Sequence, residues 1–368
     1  MSGCGVIYCR MYDYVVVGSG LFGATCAYEL TRAGRSCLVL EARSHIGGNC
    51  YTETRDGINL HIYGPHIFHT SSNRIWEWVN QFVSFNSYRF SPVANYQGIL
   101  YSLPFNMWTF NQMWGVATPK DAMEIISSQS KGIASPRNLE EMAIQMVGVD
   151  IYERLIKGYT KKQWDRDPAL LPKEIVARLA VRYTYDNSYF DDKHQGVVEG
   201  GYTLLFERLL ENVKVYLGVD YLQDKPAWDK MARMGVIYTG AIDAYHSYCY
   251  GKLDYRSQNF VHKKLETGDY QGVSVMNYTG EEVPYTRVVE HKHFEANASP
   301  VSWVTWEHPE DEGLPMYPIR DKPNLQKLSR YNALADGVHF GGRLGSYQYY
   351  DMHQVIGSAL ALTDKLIA

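Results

Sequence analysis

The segment Tyr14-Val15-Val16-Val17-Gly18-Ser19-Gly20-Leu21-Phe22-Gly23 sets the architecture of this 368-residue chain. Its first four residues are aromatic or β-branched and end on glycine, which predicts a buried parallel strand. Gly18 permits a sharp turn, Gly20 leaves room for a pyrophosphate, and Gly23 lets a helix lie close to the strand. A helix over 21–33 would then present its N-terminus to the phosphates. Gly34 stops that helix, residues 36–40 supply a second strand, and Glu41 stands where a carboxylate accepts from ribose hydroxyls. A Gly-x-Gly-x-x-Gly alone is weak. Strand, helix, strand and acid in register outweigh a glycine-rich turn that holds no ligand. The expected class is α/β, built on a Rossmann-like domain.

Working outward, Arg43 is followed four residues later by Gly47-Gly48 and then Asn49. This spacing resembles the second phosphate-side turn of many flavoproteins and tilts the cofactor from NAD to FAD. Two later segments look like parts of the same domain. One is Gly200-Gly201-Tyr202-Thr203, with a helix over 204–210 and strands over 213–217 and 235–238. The other is Val338-His339-Phe340 and Gly341-Gly342-Arg343, with an apolar helix over 352–367. The expected FAD-binding domain is therefore discontinuous: 11–80, 196–245 and 312–368. Residues 105–165 carry helical spacing and predict an inserted helical bundle over 104–170. Alternating β-branched and aromatic residues at 82–103, 180–190 and 254–295 predict an inserted antiparallel sheet domain over 81–103, 171–195 and 246–311. Residues 1–10 precede Met11 as an extension.

Composition narrows the partners. A formal charge of −4 argues against general nucleic-acid affinity, so an anionic ligand needs a local group of arginines. No apolar run has the length of a membrane span, and residues 1–10 lack the apolar core of a secretory signal. The six cysteines (Cys4, Cys9, Cys26, Cys37, Cys50 and Cys249) form no Cys-x-x-Cys, and the reading is a reduced, cytoplasmic chain. Tyr outnumbers Phe by 30 to 12, and a flat apolar face with a hydroxyl suits nucleotide and sugar sites, although most of these tyrosines are ordinary structural residues. His66 and His69 make a His-x-x-His, but no helical register accompanies it and Gly64-Pro65 point to a loop, so no metal is expected. His291 and His293 are read as structural residues alternating on a strand. No Ser-His-Asp or Cys-His grouping and no well-spaced carboxylate pair emerges.

Several long motifs now add up: Tyr63-Gly64-Pro65-His66-Ile67-Phe68-His69-Thr70, Lys157-Gly158-Tyr159-Thr160-Lys161-Lys162-Gln163-Trp164, Pro284-Tyr285-Thr286-Arg287, Glu290-His291-Lys292-His293-Phe294, and Gly341-Gly342-Arg343-Leu344 through Tyr349-Tyr350-Asp351-Met352-His353-Gln354. In this order they resemble the UDP-galactopyranose mutase family of the bacterial type, from Met11 to the C-terminus. The resemblance implies FAD that is active when reduced. It also implies reversible conversion of UDP-galactopyranose to UDP-galactofuranose for cell-surface glycans, through a bond between the anomeric carbon and flavin N5 and without net redox change. Such a scheme needs no amino-acid nucleophile, because the cofactor supplies the hard chemistry.

Carried onto this chain, the resemblance gives Arg178 and Arg287 to the diphosphate, with Arg178 on a mobile lid over 171–181, and His66 to the edge of the flavin ring. Arginine suits the task because its planar fork of donors keeps its charge. Tyr159 and Trp164 match the uridine site; Tyr189, Asn277, Tyr317 and Tyr349 match positions that reach the phosphates and sugar. The cofactor set is Gly18, Gly20, Phe22, Gly23, Glu41, Arg43, Gly48, Asn49, His66, Gly342, Arg343, Tyr350, Asp351 and Met352. The helix starting near Met352 would favour an anionic reduced flavin through its N-terminal amides. A homodimer is also implied. Pro65, where alanine is common, and Ala180, where proline is common, depart from the pattern. Two rivals share parts of this reading: an FAD oxidoreductase of the amine oxidase kind, and a flavin- or sugar-nucleotide-binding protein without catalysis. A single dinucleotide fingerprint leaves no dedicated NAD(P)H domain.

Overall fold

Strands covered on both faces need unbroken apolar runs, and the chain supplies them around its first glycines. In the computed structural model, which describes residues 11–177, 179–334 and 337–368, β1 (Tyr12–Val17) and β2 (Cys37–Glu41) are parallel neighbours, with Tyr14 opposite Cys37 and Val17 opposite Leu40. The helix between them, α1 (Leu21–Arg32), buries most of its residues. Five parallel strands complete this sheet in the order Val338–Phe340, Ala232–Tyr238, β1, β2 and Lys214–Leu217. On one face α1 packs against the helices Met352–Ile367 and Thr203–Leu210 around a core that includes Val16, Ala27, Phe206 and Ile356. Three strands far apart in sequence thus join β1 and β2, and the carboxyl ends of all five surround one crevice. That is where doubly wound sheets take ligands.

A second sheet has seven strands, in the order Tyr317–Pro318, Tyr255–Leu265, Ser302–Glu310, Arg287–Glu290, Val275–Tyr278, Val93–Tyr96 and Ile99–Ser102. Its pairs are antiparallel apart from Val275–Tyr278 with Val93–Tyr96, which run parallel. Helices Met107–Trp114, Pro119–Gln129, Leu139–Val147 and Gly158–Trp164 border a separate core that includes Phe110, Ala122, Leu139 and Tyr152. Asn106, Thr118 and Asn138 cap three of them by accepting from first-turn amides, so each start is written in the sequence.

Two expectations are corrected. Residues 180–190 form no strand; a lone bridge joins Phe105 to Val181. The Arg182 guanidinium takes the carbonyls of Ser188 and Tyr189 and the Asp191 carboxylate, so acceptors that a ladder would need go to a side chain. His291 and His293 do not alternate on a strand: both lie in the short 3₁₀ turn His291–Phe294, where His291 is buried and His293 half-buried.

Candidate active site

The turns that follow β1 and β2 abut, and the missing side chains allow it. Gly18 sits at φ +99°, and a Cβ on Gly23 would stand 2.0 Å from the Gly18 carbonyl oxygen. Gly48 has φ +55°, and a Cβ there would fall 2.9 Å from the Cα of Gly20. The Gly47 N–H donates to the Ser19 carbonyl at 3.1 Å and joins the two turns. Glu41 is buried at the end of β2. Its Oε2 accepts from the Ser19 N–H and hydroxyl at 2.8 and 2.7 Å, and its Oε1 accepts from the Arg43 N–H at 2.9 Å. A carboxylate offers about four acceptor positions, so one on Oε1 stays open for an external hydroxyl.

Arg43 donates to Asn49 Oδ1 at 2.8 Å and lies 4.3 Å over the Tyr63 ring. Its Nη1 is buried without a partner among the described residues, as is Nε of Arg343. Buried guanidinium donors are costly to leave unmet. With the two glycine turns they fit a dinucleotide whose pyrophosphate and ring would meet them. Across the crevice, Gly341 lies so near Phe22 that a Cβ would be 2.0 Å from the ring, and Gly342 turns at φ +73°. The helix Met352–Ile367 starts at the same crevice, where Gln354 Oε1 accepts from the Asp351 N–H at 2.9 Å.

This crevice is one end of a continuous cavity of about 1850 Å³. A single drug-sized ligand needs about 300–1,000 Å³, so there is room for a dinucleotide and a second nucleotide together. Every described residue that the sequence singled out for cofactor or substrate lines it except Gly23, which packs behind the turn. Arg178 lies outside the described residues. At the far end Tyr159 and Trp164 enter from the helix Gly158–Trp164. Lys162 on that helix donates to the carbonyls of Tyr278 and Tyr285, both at 2.9 Å, and pins it to the sheet.

Between the two ends the polar groups converge. Tyr317 and Tyr349 stack with centroids 5.5 Å apart, and the Arg343 guanidinium lies 4.6 Å over Tyr349. Arg287 holds fully buried Glu307 through Nε at 2.7 Å and Nη2 at 2.6 Å. Burial alone would oppose the guanidinium's charge, but the Glu307 carboxylate and the Tyr159 and Tyr317 hydroxyls more than offset it, so Arg287 stays charged. His66 Nδ1 is 2.8 Å from the Gly64 carbonyl, which can only accept; Nδ1 therefore carries the proton and Nε2 a lone pair. Burial, with Arg343 and Arg287 nearby, lowers its pKa to about 4, so the ring is neutral near pH 7. Burial also pushes the Tyr159 hydroxyl up to about 12, which keeps it a donor.

With this geometry in place, the relatives can be compared. A family model described as UDP-galactopyranose mutase matches residues 154–349, and one described as NAD(P)-binding Rossmann-like domain matches 16–82. A Klebsiella pneumoniae protein named "Probable UDP-galactopyranose mutase" is 38% identical over 370 residues, covering 97% of this chain and 95% of its own. The chain belongs to the UDP-galactopyranose mutase family. An Escherichia coli dTDP-fucopyranose mutase is 37% identical over 365 residues, 95% of this chain and 97% of its own. The solved structure of a reduced UDP-galactopyranose mutase superposes with a TM-score of 0.73 at 14% identity, over 98% of this chain and 94% of that one, which speaks to the fold alone.

Within this family frame, three residues that carry no role in the sequence reading join the site: Glu307, Tyr63 and Ser19. Glu307 faces Arg287 directly across an antiparallel pair of strands. A register of that kind has no local sequence signal, although an acid inside Trp303-Val304-Thr305-Trp306-Glu307 is a cue of its own. His69 Nδ1 binds Asp192 at 2.6 Å, whereas His66 Nδ1 binds the Gly64 carbonyl at 2.8 Å. Among the described residues one group, Asp269, Glu290 and His293, gathers as metal ligands do. It lies off the cavity. Glu290 accepts from the Tyr270 and Gln271 amides and the Ser302 hydroxyl, and Asp269 accepts from the Gly272 amide, so hydrogen bonds already account for it.

Proposed function

We propose that this chain interconverts UDP-galactopyranose and UDP-galactofuranose with reduced FAD held against the paired glycine turns. The observation that carries the reading is the continuity of one cavity from the glycine cradle to the Arg287–Tyr317–Tyr349 group, in a chain of this family. When bound, reduced flavin supplies an electron pair for the anomeric carbon, with no net redox change.

The side chains do the rest. Glu307 fixes Arg287 by Nε and Nη2, and the remaining edge of the fork receives the diphosphate as it leaves and returns. Tyr317 and Tyr349 add neutral donors beside it, and Arg343 sets a positive charge near the flavin. Trp164 and Tyr159 hold the uracil by their faces. His66 accepts from a cofactor or sugar donor at Nε2. Tyr189 and Asn277 complete the sugar-side wall; Asn277 Oδ1 is buried and unpartnered among the described residues. Arg178 is proposed from sequence alone as the second diphosphate ligand, so Arg178→Ala should cripple turnover while flavin stays bound. We place the enzyme in the cytoplasm as a homodimer, on the strength of the family resemblance and of Cys26, Cys37, Cys50 and Cys249, which are unpaired among the described residues.

The test is chromatographic: UDP-galactofuranose is incubated with the flavin-loaded enzyme, with and without dithionite. Furanose should turn into pyranose only with the reductant. Hydride consumption with an acceptor would mark an oxidoreductase instead, and binding without conversion a non-catalytic protein. Because a dTDP-fucopyranose mutase is almost as similar, the dTDP-linked 6-deoxy sugar belongs in the same assay. Faster conversion of that substrate would keep the ring contraction and overturn the UDP-galactose assignment.

A further inference from the structure

Behind His66 lies a chain of buried groups that the proposed function leaves unused. The His66 N–H donates to His61 Nδ1 at 3.0 Å, and the His61 N–H donates to His291 Nδ1 at 3.2 Å. His291 Nε2 is 2.7 Å from Thr305 Oγ1, and His262 Nδ1 is 2.7 Å from the same hydroxyl. His61, His291 and Thr305 are each no more than 2% exposed.

Backbone N–H groups can only donate, and this dictates the tautomers of His61 and His291. His61 and His291 must each keep a lone pair on Nδ1, so when neutral each carries its proton on Nε2. His291 then donates to Thr305, whose one hydroxyl proton is left for His262 Nδ1. His262 in turn holds its proton on Nε2 and has a backbone hydrogen bond at Ile62, next to the Tyr63–His66 loop. The circuit starts on that loop and ends at the residue before it. His61 Nε2 has no partner among the described residues, an uncompensated group retained where the bond to the His66 amide needs the opposite nitrogen.

The loop is also seated on the strand that bears Thr305. A Cβ on Gly64 would lie 3.4 Å from Glu307 Oε1 and 3.3 Å from Phe260. Thr305 and Glu307 stand two residues apart on Ser302–Glu310, one wired to His66 and the other gripping Arg287.

We propose that His262, Thr305, His291 and His61 form a positioning network that fixes the Tyr63–His66 loop and presents His66 to the cavity as an acceptor at Nε2. None of the four needs to touch ligand; they act through His66. Burial lowers the pKa of all three rings, His61 and His291 fully buried and His262 half-buried, His291 to about 3, which suits a network that works only when neutral. A proton on either Nδ1 would set N–H against N–H and release the loop.

The experiment uses flavin-loaded protein labelled with ¹⁵N-histidine, observed by NMR at neutral pH without substrate. His61, His262 and His291 should be Nε2–H tautomers and His66 Nδ1–H. A cationic or Nδ1–H His291 overturns the network, whatever the enzyme's reaction proves to be. Thr305→Val keeps the shape and deletes the relay; kcat should fall about tenfold with KM within about twofold, and Thr305→Ser should restore most of it. A Thr305→Val enzyme with unchanged kcat, or a Thr305→Ser enzyme equally impaired, overturns the proposal. Should Thr305→Val not fold, the wild-type tautomers decide alone. The kinetic arm rests on the mutase reading; the spectroscopic arm does not, so failure of one is distinguishable from failure of the other.

Discussion

Arg287 and Glu307 are cross-strand partners whose charges meet inside the cavity wall, with Arg287 Nε 2.7 Å from Oε2 of a carboxylate that has no exposed surface. A buried pair of this kind is costly to break from one side, by about 3–5 kcal/mol, because the remaining charge is left uncompensated. Arg287→Ala should therefore lose both turnover and thermal stability. The double variant Arg287→Ala with Glu307→Gln should regain much of the melting temperature and none of the activity. If the double variant melts as low as the single one, the stability loss does not come from stranding Glu307; if it turns over normally, Arg287 does not hold the diphosphate.

The glycines separate two kinds of constraint. Gly34 has φ +82°, and a Cβ there would meet nothing within 4 Å, so Gly34→Ala should cost only the left-handed strain, about 1–2 kcal/mol. Gly341→Ala would drive a methyl to 2.0 Å from the Phe22 ring and press that ring into the cradle. Its flavin content, read from visible absorbance per mole of purified protein, should fall sharply while Gly34→Ala remains fully loaded. Equal loading of both would show that Phe22 can move away at no expense to the cofactor.

Legibility in the sequence followed the range of the forces involved. β1, α1 and β2 fall within about two residues of their expected places, because β-branched runs and glycine turns are local signals. The same holds for the helix Met352–Ile367. Residues 180–190 carry strand-like alternation too, but Arg182 captures their carbonyls, an event that depends on a folded loop. Glu307 and the circuit from His66 to Thr305 are hidden for a similar reason: their partners lie up to 230 residues away, joined by register and not by spacing. The family motifs point to His66 and Arg287 but not to His61 and Glu307, which hold them.

Trp164 and Lys162 should show how the uridine end works. Stacking on an aromatic face is worth about 1–3 kcal/mol, so Trp164→Ala should raise KM by about 5–150-fold with a smaller change in kcat. Lys162 reaches no ligand position; it bonds the carbonyl of Tyr278 at the end of one strand and that of Tyr285 just before the next, and burial lowers its pKa to about 8. Lys162→Met should raise KM as well, by freeing the helix that carries Tyr159 and Trp164. Steady-state kinetics under dithionite decide this, and a fall in kcat at constant KM for Trp164→Ala would remove it from the base-binding wall.

Acid should unfold this protein through its neutral histidines. His66 and His291 are held down to about 4 and about 3, chiefly by burial, and His61 is held well below its ordinary value. Arg343 and Arg287 add to the effect at His66, and His262 adds to it at His291. In the unfolded chain these rings titrate near 6.5. Their folded pKa lies below the unfolded one, so as pH falls below about 6.5 the unfolded chain takes up protons that the folded chain refuses, and stability drops until the folded values are reached. At pH 5 the loss from His291, which is 2% exposed, comes to about 2 kcal/mol. Urea midpoints of the flavin-loaded protein should therefore fall from pH 7 to pH 5. His291→Asn keeps an acceptor for the His61 amide and removes one titrating ring, so its midpoint should start lower at pH 7 and fall less. All other titrating groups are the same in both proteins, which makes the difference between the two slopes the quantity to measure. Parallel slopes would mean that His291 is not the proton-refusing group its burial makes it.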